Sequence, residues 1–367
     1  MRVMFVDDEQ RVLDGIERSL FALDVEWEVE FATSGRAALA RLAEMPAHAV
    51  ISDMRMPGMD GCQFLTEVRA RWPETLRIIL SGFAEEEVAL RSLDVVHQFL
   101  AKPCDGGSIV ALVERIAGLR ALLGSATLKR LIGRVGHLPP TPTVYCELVR
   151  CISDPNASTR SIVAVLSRDP ALTAKVLQVA NSAFFRRGRP IADVGAAVVH
   201  IGMDVLRSLV LMVEVFASGD DEGAAAHLQQ RALRAMLIAE HIATGEPFFT
   251  EAVTAALLSE VGLLIRGLEA HCMEAEVAGE GRFGYAEVGA YLLGIWGLPP
   301  RVIEAVAHHR DPARIAPRTF DAVGAAHVAA SLARQIEPDT AYLERCGRAD
   351  RLDEWKRFSQ RLSGSTS

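Results

Sequence analysis

Short apolar runs alternate with amphipathic stretches over the first third of the chain, and a different rhythm takes over beyond it. Strand-like runs fall near 2–6, 27–31, 48–53, 76–80 and 97–101, each closed by a polar or Gly/Pro-containing turn. Between them, apolar residues recur at helical spacing near 10–22, 34–43, 60–71, 84–92 and 107–122. Short continuous apolar runs read as strands buried on both faces, and five such βα units predict an α/β fold with a five-stranded, doubly wound parallel sheet.

From about 143 onward the period is helical throughout. VYCELVRCI, SIVAVLSRD, ALTAKVLQVAN, DVLRSLVLMVEVF and AVTAALLSEVGLLI all repeat apolar residues at i, i+3, i+4 and i+7. Ser153-Asp154-Pro155 ends one helix, whereas Asp169-Pro170 and Leu298-Pro299-Pro300 open others. No alternating strand interrupts the series, so this part is predicted to be all α. Between the two rhythms, Gly124-Ser125 offers a hinge, and Gly136, Pro139, Pro140 and Pro142 break any helix. The expected division is an α/β domain at 1–122, a linker at 123–142, a helical domain at 143–330, and C-terminal helices with a disordered GSTS tail at 331–367.

A chain of 367 residues, half of them hydrophobic and 23% charged, suits two well-packed domains. No apolar run approaches ~20 residues, so no membrane span is expected. The first residues run into a strand without a basic stretch or cleavage site, so no signal peptide is expected either. Six scattered cysteines without a CxxC pair suggest reduced thiols in a cytoplasmic protein, and a metal site on Cys146 and Cys151 is disfavoured. Residues 1–118 hold 12 Lys/Arg against 20 Asp/Glu, and the remainder holds 27 of each. That balance disfavours nucleic acid as a partner.

Candidate chemistry gathers at strand ends. Asp7 and Asp8 follow the first run and Asp53 closes the third, which would place three carboxylates at one edge of the sheet. Adjacent carboxylates stay ionised only when a cation joins them, and an oxygen-only cluster suits Mg²⁺. Ser81 and Lys102 close the fourth and fifth runs. A hydroxyl, a lysine and a metal-bound acidic pair equip Asp53 to accept a phosphoryl group.

The motifs FVDDEQ, SDMRMPGMDG, LSG and QFLAKP resemble, in order and spacing, the receiver domain of two-component response regulators over residues 1–118. The resemblance implies that Asp53 accepts a phosphoryl group from a histidine kinase. It assigns Mg²⁺ to Asp7, Asp8, Asp53 and the Arg55 carbonyl, the switch hydroxyl to Ser81 and phosphate contact to Lys102. Phe99 has two readings, a core aromatic or the switch side chain that turns inward as Ser81 moves. The new charge, roughly −1.5 to −2 at pH 7, would reorganise the 84–92 face.

LPPTPTV, DPNASTRSIVAVLSRDPALTAKVLQVANSAFF, AAVVHIG, AEVGAYLLGIWGLPP and AVAHHRDP resemble the HDOD domain over about 129–330. This domain is a helical relative of the HD and HD-GYP metal-dependent phosphohydrolases, which hold a divalent metal with His and Asp. Here Ser259-Glu260 stands at the His-Asp pair, Leu263 where a Lys often follows, and Tyr285 where a further His is expected. His308 and His309 remain, but adjacent helix residues point about 100° apart and rarely chelate one ion together. They read as a polar helix end before Asp311-Pro312. No transition metal is therefore expected in this domain. Arg186-Arg187-Gly188-Arg189 reads as a solvated loop, His200 as a core residue at a helix turn, and Trp296 as a packing anchor.

The expected protein is a cytoplasmic response regulator whose non-catalytic HDOD output binds and regulates a partner protein. A homodimer through the receiver is an open alternative, and no membrane or nucleic-acid partner is expected. Two rival readings stand beside it: a cyclic-dinucleotide phosphodiesterase with an atypical metal site on Glu260, Tyr285, His308 and His309, and a nucleotide-sensing HDOD module.

Overall fold

In a computed structural model the described residues are 1–81, 92, 94–102, 104–122, 124–135, 138, 142–153, 157–182, 185, 189–203, 205–206, 210, 222–278, 280, 283–315 and 319–364. Strands β1 (Arg2–Val6), β2 (Glu28–Ala32), β3 (Ala49–Asp53), β4 (Leu76–Ser81) and β5 (Gln98–Ala101) form one parallel sheet in the order β2-β1-β3-β4-β5. β1 and β3 are central and buried along their whole length, which is why they read as unbroken apolar runs. Helices α1 (Gln10–Ala22), α2 (Gly35–Glu44), α3 (Gly61–Arg71) and α4 (Gly106–Leu122) complete the α/β domain. α1 buries Leu13, Ile16 and Leu20 on one stripe. Ser34 caps α2 through its hydroxyl, and Asp60 forms a reciprocal capping box with Gln63 at the start of α3. The helix expected at 84–92 lies outside the described residues, apart from Ser92.

The rest of the chain is helical in its described residues: α5 (Ala126–Gly133), α6 (Pro142–Ser153), α7 (Thr159–Leu166), α8 (Pro170–Asn181), α9 (Val194–Ile201), α10 (Glu222–Ala243), α11 (Phe249–Leu258), α12 (Leu268–Val277), α13 (Tyr285–Ile295), α14 (Pro300–His308), α15 (Ala322–Ala333), α16 (Thr340–Arg345) and α17 (Leu352–Gly364). α8 opens as expected, with the Asp169 side chain accepting from Leu172 N and Pro170 in the first turn, and it is buried on every side. α10 packs against α11, α15 and α17, and α13 against α14. Trp296 is buried, as expected of a packing anchor. Among the described residues, no helix is long and apolar enough to cross a membrane.

Three expectations are corrected. The segment expected as linker contains α5. Ser125 caps this helix by accepting from Leu128 N at 3.0 Å, Leu128 and Ile132 are fully buried, and a Cβ at Gly133 would stand 1.8 Å from the Pro73 carbonyl oxygen. Docking against the α/β domain therefore offsets weak local propensity. The run AVTAALLSEVGLLI is not one helix. α11 stops at Leu258, where Ser259 bonds back to the Ala256 carbonyl, and a 3₁₀ turn follows at Val261–Leu264. His200 is exposed rather than in the core, with its ring against the Phe185 carbonyl. Of the Arg186–Arg189 loop, only Arg189 is described, and it is exposed. The Cys146 side chain and residues 365–367 also lie outside the described set.

The edge strand β5 and the turn before it meet the helical domain directly. Gln98 Nε2 donates to the Ile295 carbonyl at 2.7 Å, and Lys175 on α8 lies 3.1 Å from Asp94. Arg77, 1% exposed, donates to the carbonyls of Val95, Pro73, Thr75 and, across the junction, Gly133 at 2.7 Å. Burial and the neighbouring Arg69 charge pull its pKa down to about 9, and burial beside Arg77 holds His97 well below its ordinary value. α4 runs along α13 on the same side.

Candidate functional site

The C-terminal ends of β1 and β3, and the residue just past β5, converge on an acidic pocket. Asp53 ends β3, paired in register with Leu80 of β4, while Asp7 follows β1. Lys102 follows β5 and bridges the two carboxylates, with Nζ at 2.5 Å from Asp53 Oδ1 and 2.9 Å from Asp7 Oδ2. The other oxygen of Asp53 accepts from Arg55 N at 3.1 Å, and the other oxygen of Asp7 from Glu9 N at 2.9 Å. Gly61 holds the rear of the pocket, since a Cβ there would stand 2.1 Å from the Asp53 carbonyl oxygen. That contact was not foreseen, although a glycine opening a capped helix is a visible signal for close approach.

Burial raises the Asp53 pKa above its ordinary value, against the hydrogen bond and charge of Lys102, with the Asp7 charge adding to the rise. For Lys102, burial opposes the ammonium, but hydrogen bonds and charge from Asp53 and Asp7 outweigh it and raise its pKa. Asp8 is exposed at the rim. Ser81 closes β4, and its side chain lies outside the described residues. Phe99 sits in β5 opposite Ile79 and is buried, the position of a core aromatic. The donors are all oxygens, the kind a hard divalent cation takes. Among the described residues no three His, Cys, Asp or Glu side chains form a group able to hold a metal ion, and the Lys102 ammonium lies between the two buried carboxylates.

Residues 3–114 match the response regulator receiver domain, and residues 138–312 match the HDOD domain. The chain is a receiver–HDOD response regulator. A curated relative, the hydrogenase transcriptional regulatory protein HoxA of Cupriavidus necator, is 35% identical over 33% of this chain and 25% of its own length. The uncharacterized transcriptional regulatory protein YesN of Bacillus subtilis is 27% identical over 61% of this chain and 69% of its own. This regulator thus spans only a quarter of the first relative. Among solved structures, the MmoQ response regulator of Methylococcus capsulatus is 22% identical, covering 60% of this chain and 98% of that one, with a TM-score of 0.48.

In the HDOD domain, Glu260 and Tyr285 come together with His309, but arginines join them. Glu260 is buried, and its two oxygens accept from Arg231 Nε at 2.9 Å and Arg334 Nη1 at 3.0 Å. The same Arg334 nitrogen donates to the Tyr285 hydroxyl at 2.5 Å, and the guanidiniums of Arg310 and Arg334 lie over the Tyr285 ring. His309 donates from Nδ1 to the Val306 carbonyl at 2.7 Å, and Nε2 faces the Tyr285 hydroxyl at 3.4 Å. His309 does stand at the end of α14, but it is 2% exposed rather than on a polar face; burial drives its pKa down to about 4. His308 is half-buried and turned elsewhere, its pKa lowered by burial. Sequence reasoning missed Arg231 and Arg334. They lie 29 and 74 residues from Glu260, and no local spacing signals the contact.

Proposed function

We propose that this response regulator takes a phosphoryl group from a histidine kinase onto Asp53 and uses it to reset the contact between receiver and HDOD domain. The observation that carries the reading is the Lys102 ammonium held against two buried carboxylates at the strand ends. Asp53 Oδ1 attacks the phosphorus of the kinase phosphohistidine, the P–N bond breaks, and the imidazole leaves with the bond electrons. Lys102 then neutralises phosphoryl oxygens, and the Ser81 hydroxyl donates to them. A Mg²⁺ held by Asp7, Asp8, Asp53 and the Arg55 carbonyl would supply further charge neutralisation, countering both the burial that raises the Asp53 pKa and the Asp7 charge that adds to the rise.

The output is proposed to be non-catalytic, regulating a protein partner through a surface that the receiver contact controls. Support comes from Glu260, whose two oxygens already bind Arg231 and Arg334, so that the described residues hold no imidazole–carboxylate set of the kind an HD hydrolase uses.

The reading is tested by incubating the purified protein with acetyl phosphate and Mg²⁺. Intact mass should rise by one phosphoryl group, and limited proteolysis between 123 and 142 should change rate. Asp53→Asn should abolish both. A phosphorylated protein with an unchanged cleavage pattern would overturn the coupling. Phosphorylation persisting in Asp53→Asn would overturn the acceptor assignment.

A further inference from the structure

A cleft of about 430 Å³ opens between α10, the end of α15 and α17, outside the acidic pocket of the receiver. Its polar wall is His227, Gln230, Arg231 and Arg234, and its apolar wall includes Leu237 and Leu362. Charge is unbalanced there. Glu260 is shared by two guanidiniums, Arg231 and Arg334. Arg234 has no carboxylate partner among the described residues: its Nη2 donates to the Ser359 hydroxyl at 3.0 Å and carbonyl at 3.1 Å. Its Nε is buried, with no hydrogen-bond partner among the described residues. Glu337, in the adjoining groove that shares Arg234 as a wall, is already paired with Lys356.

We propose that this cleft binds a phosphomonoester of mononucleotide size, with its phosphate between Arg231 and Arg234 and its base against Leu237 and Leu362. The volume lies within the ~300–1,000 Å³ of small-molecule sites, and an apolar wall facing a few convergent polar groups is their usual make-up. Paired guanidiniums match phosphate oxygens in geometry as well as charge. Ser359 holds Nη2 of Arg234, and the half-buried guanidinium still lines the cleft. The ligand would tie α17 to α10 and α15, next to the Glu260 cluster. The site is independent of phosphotransfer at Asp53.

The test is isothermal titration of the full chain, in EDTA, with adenosine monophosphate, guanosine monophosphate, adenosine and inorganic phosphate. One or both nucleotides should bind, adenosine should not, and added salt should weaken binding. Arg234→Met should weaken it about 10- to 100-fold, with an unliganded unfolding midpoint measured alongside. His227→Ala on the exposed rim should weaken it severalfold and serves if Arg234→Met does not fold. Asp53→Asn should leave affinity unchanged. No nucleotide binding at millimolar concentration, unchanged affinity in folded Arg234→Met or in His227→Ala, or loss of binding in Asp53→Asn would each overturn the proposal. Inorganic phosphate binding as tightly as the nucleotides would overturn the nucleotide assignment.

Discussion

Gln98 hands its side-chain amide to the Ile295 carbonyl at 2.7 Å, while Phe99, the next residue of β5, is buried opposite Ile79 of β4. Successive strand residues face opposite ways. One strand therefore carries the proposed switch aromatic on one side and a bond to the helical domain on the other. Gln98→Ala removes the donor and leaves a buried carbonyl at the end of α13 without it. The expected cost is about 1–2 kcal/mol in urea unfolding. More tellingly, the phosphorylation-dependent change in junction proteolysis should shrink. A variant that loses stability yet keeps the full phosphorylation response would show that β5 is not the route.

Arg77 makes a second, stronger junction, because one guanidinium serves carbonyls on both sides of the domain boundary. Arg77→Lys keeps a cation but offers three donors from a point rather than five in a plane. Carbonyls of Val95, Pro73, Thr75 and Gly133 cannot all be reached, so a loss on the order of 2–3 kcal/mol is expected. Denaturant unfolding of the full chain measures it. A loss within about 0.5 kcal/mol of zero would mean that water or a backbone shift replaces the guanidinium.

The parallel sheet was legible because β1 and β3 are buried on both faces, so burial wrote itself into Val3–Val6 and Ala49–Ile51 as continuous apolar runs. The strand ends carrying Asp7, Asp53 and Lys102 were legible for the same reason; their convergence follows from the sheet order. α5 was not, because the nearby Gly136 and Pro139 outweighed eight residues whose helicity depends on docking Gly133 against Pro73. Nor was the burial of His309, since HHRDP is polar as written. Only the folded chain supplies the Tyr285 hydroxyl, the Val306 carbonyl and His327, whose Nδ1 donates to the His309 carbonyl at 2.7 Å. Arg231 and Arg334 belong to the same class of long-range contact.

Asp53 should make the protein less stable at neutral pH than it could be. A carboxyl whose folded pKa is raised contributes stability at low pH, and that contribution is lost as pH rises through the folded value. Asp53→Asn removes the buried charge while Lys102 keeps Asp7 as its partner. Its unfolding midpoint should exceed that of the parent at pH 7, by an amount on the order of 1 kcal/mol, and the advantage should narrow toward pH 4. A variant less stable than the parent at pH 7 would show that the Lys102 ion pair outweighs burial.

His309 carries the opposite sign. Its folded pKa of about 4 lies below the ordinary 6.5, so between those values the unfolded chain binds a proton that the folded chain refuses. Stability is whole above about pH 6.5 and falls as pH drops toward 4. The imidazole is nearly fully buried, so the loss from this one group is on the order of 3 kcal/mol. His97 and His327 are also shifted down and add to the slope. His309→Gln retains a donor and an acceptor but cannot titrate. Urea unfolding of both proteins at several pH values between 4 and 7 separates the contributions. The variant should start less stable at pH 7, because the Val306 and Tyr285 contacts are imperfectly replaced, yet lose less on acidification. Parallel curves for the two proteins would mean that His309 takes up its proton equally in the folded and unfolded states, so that its folded pKa is not lowered or it opens to solvent without unfolding the domain.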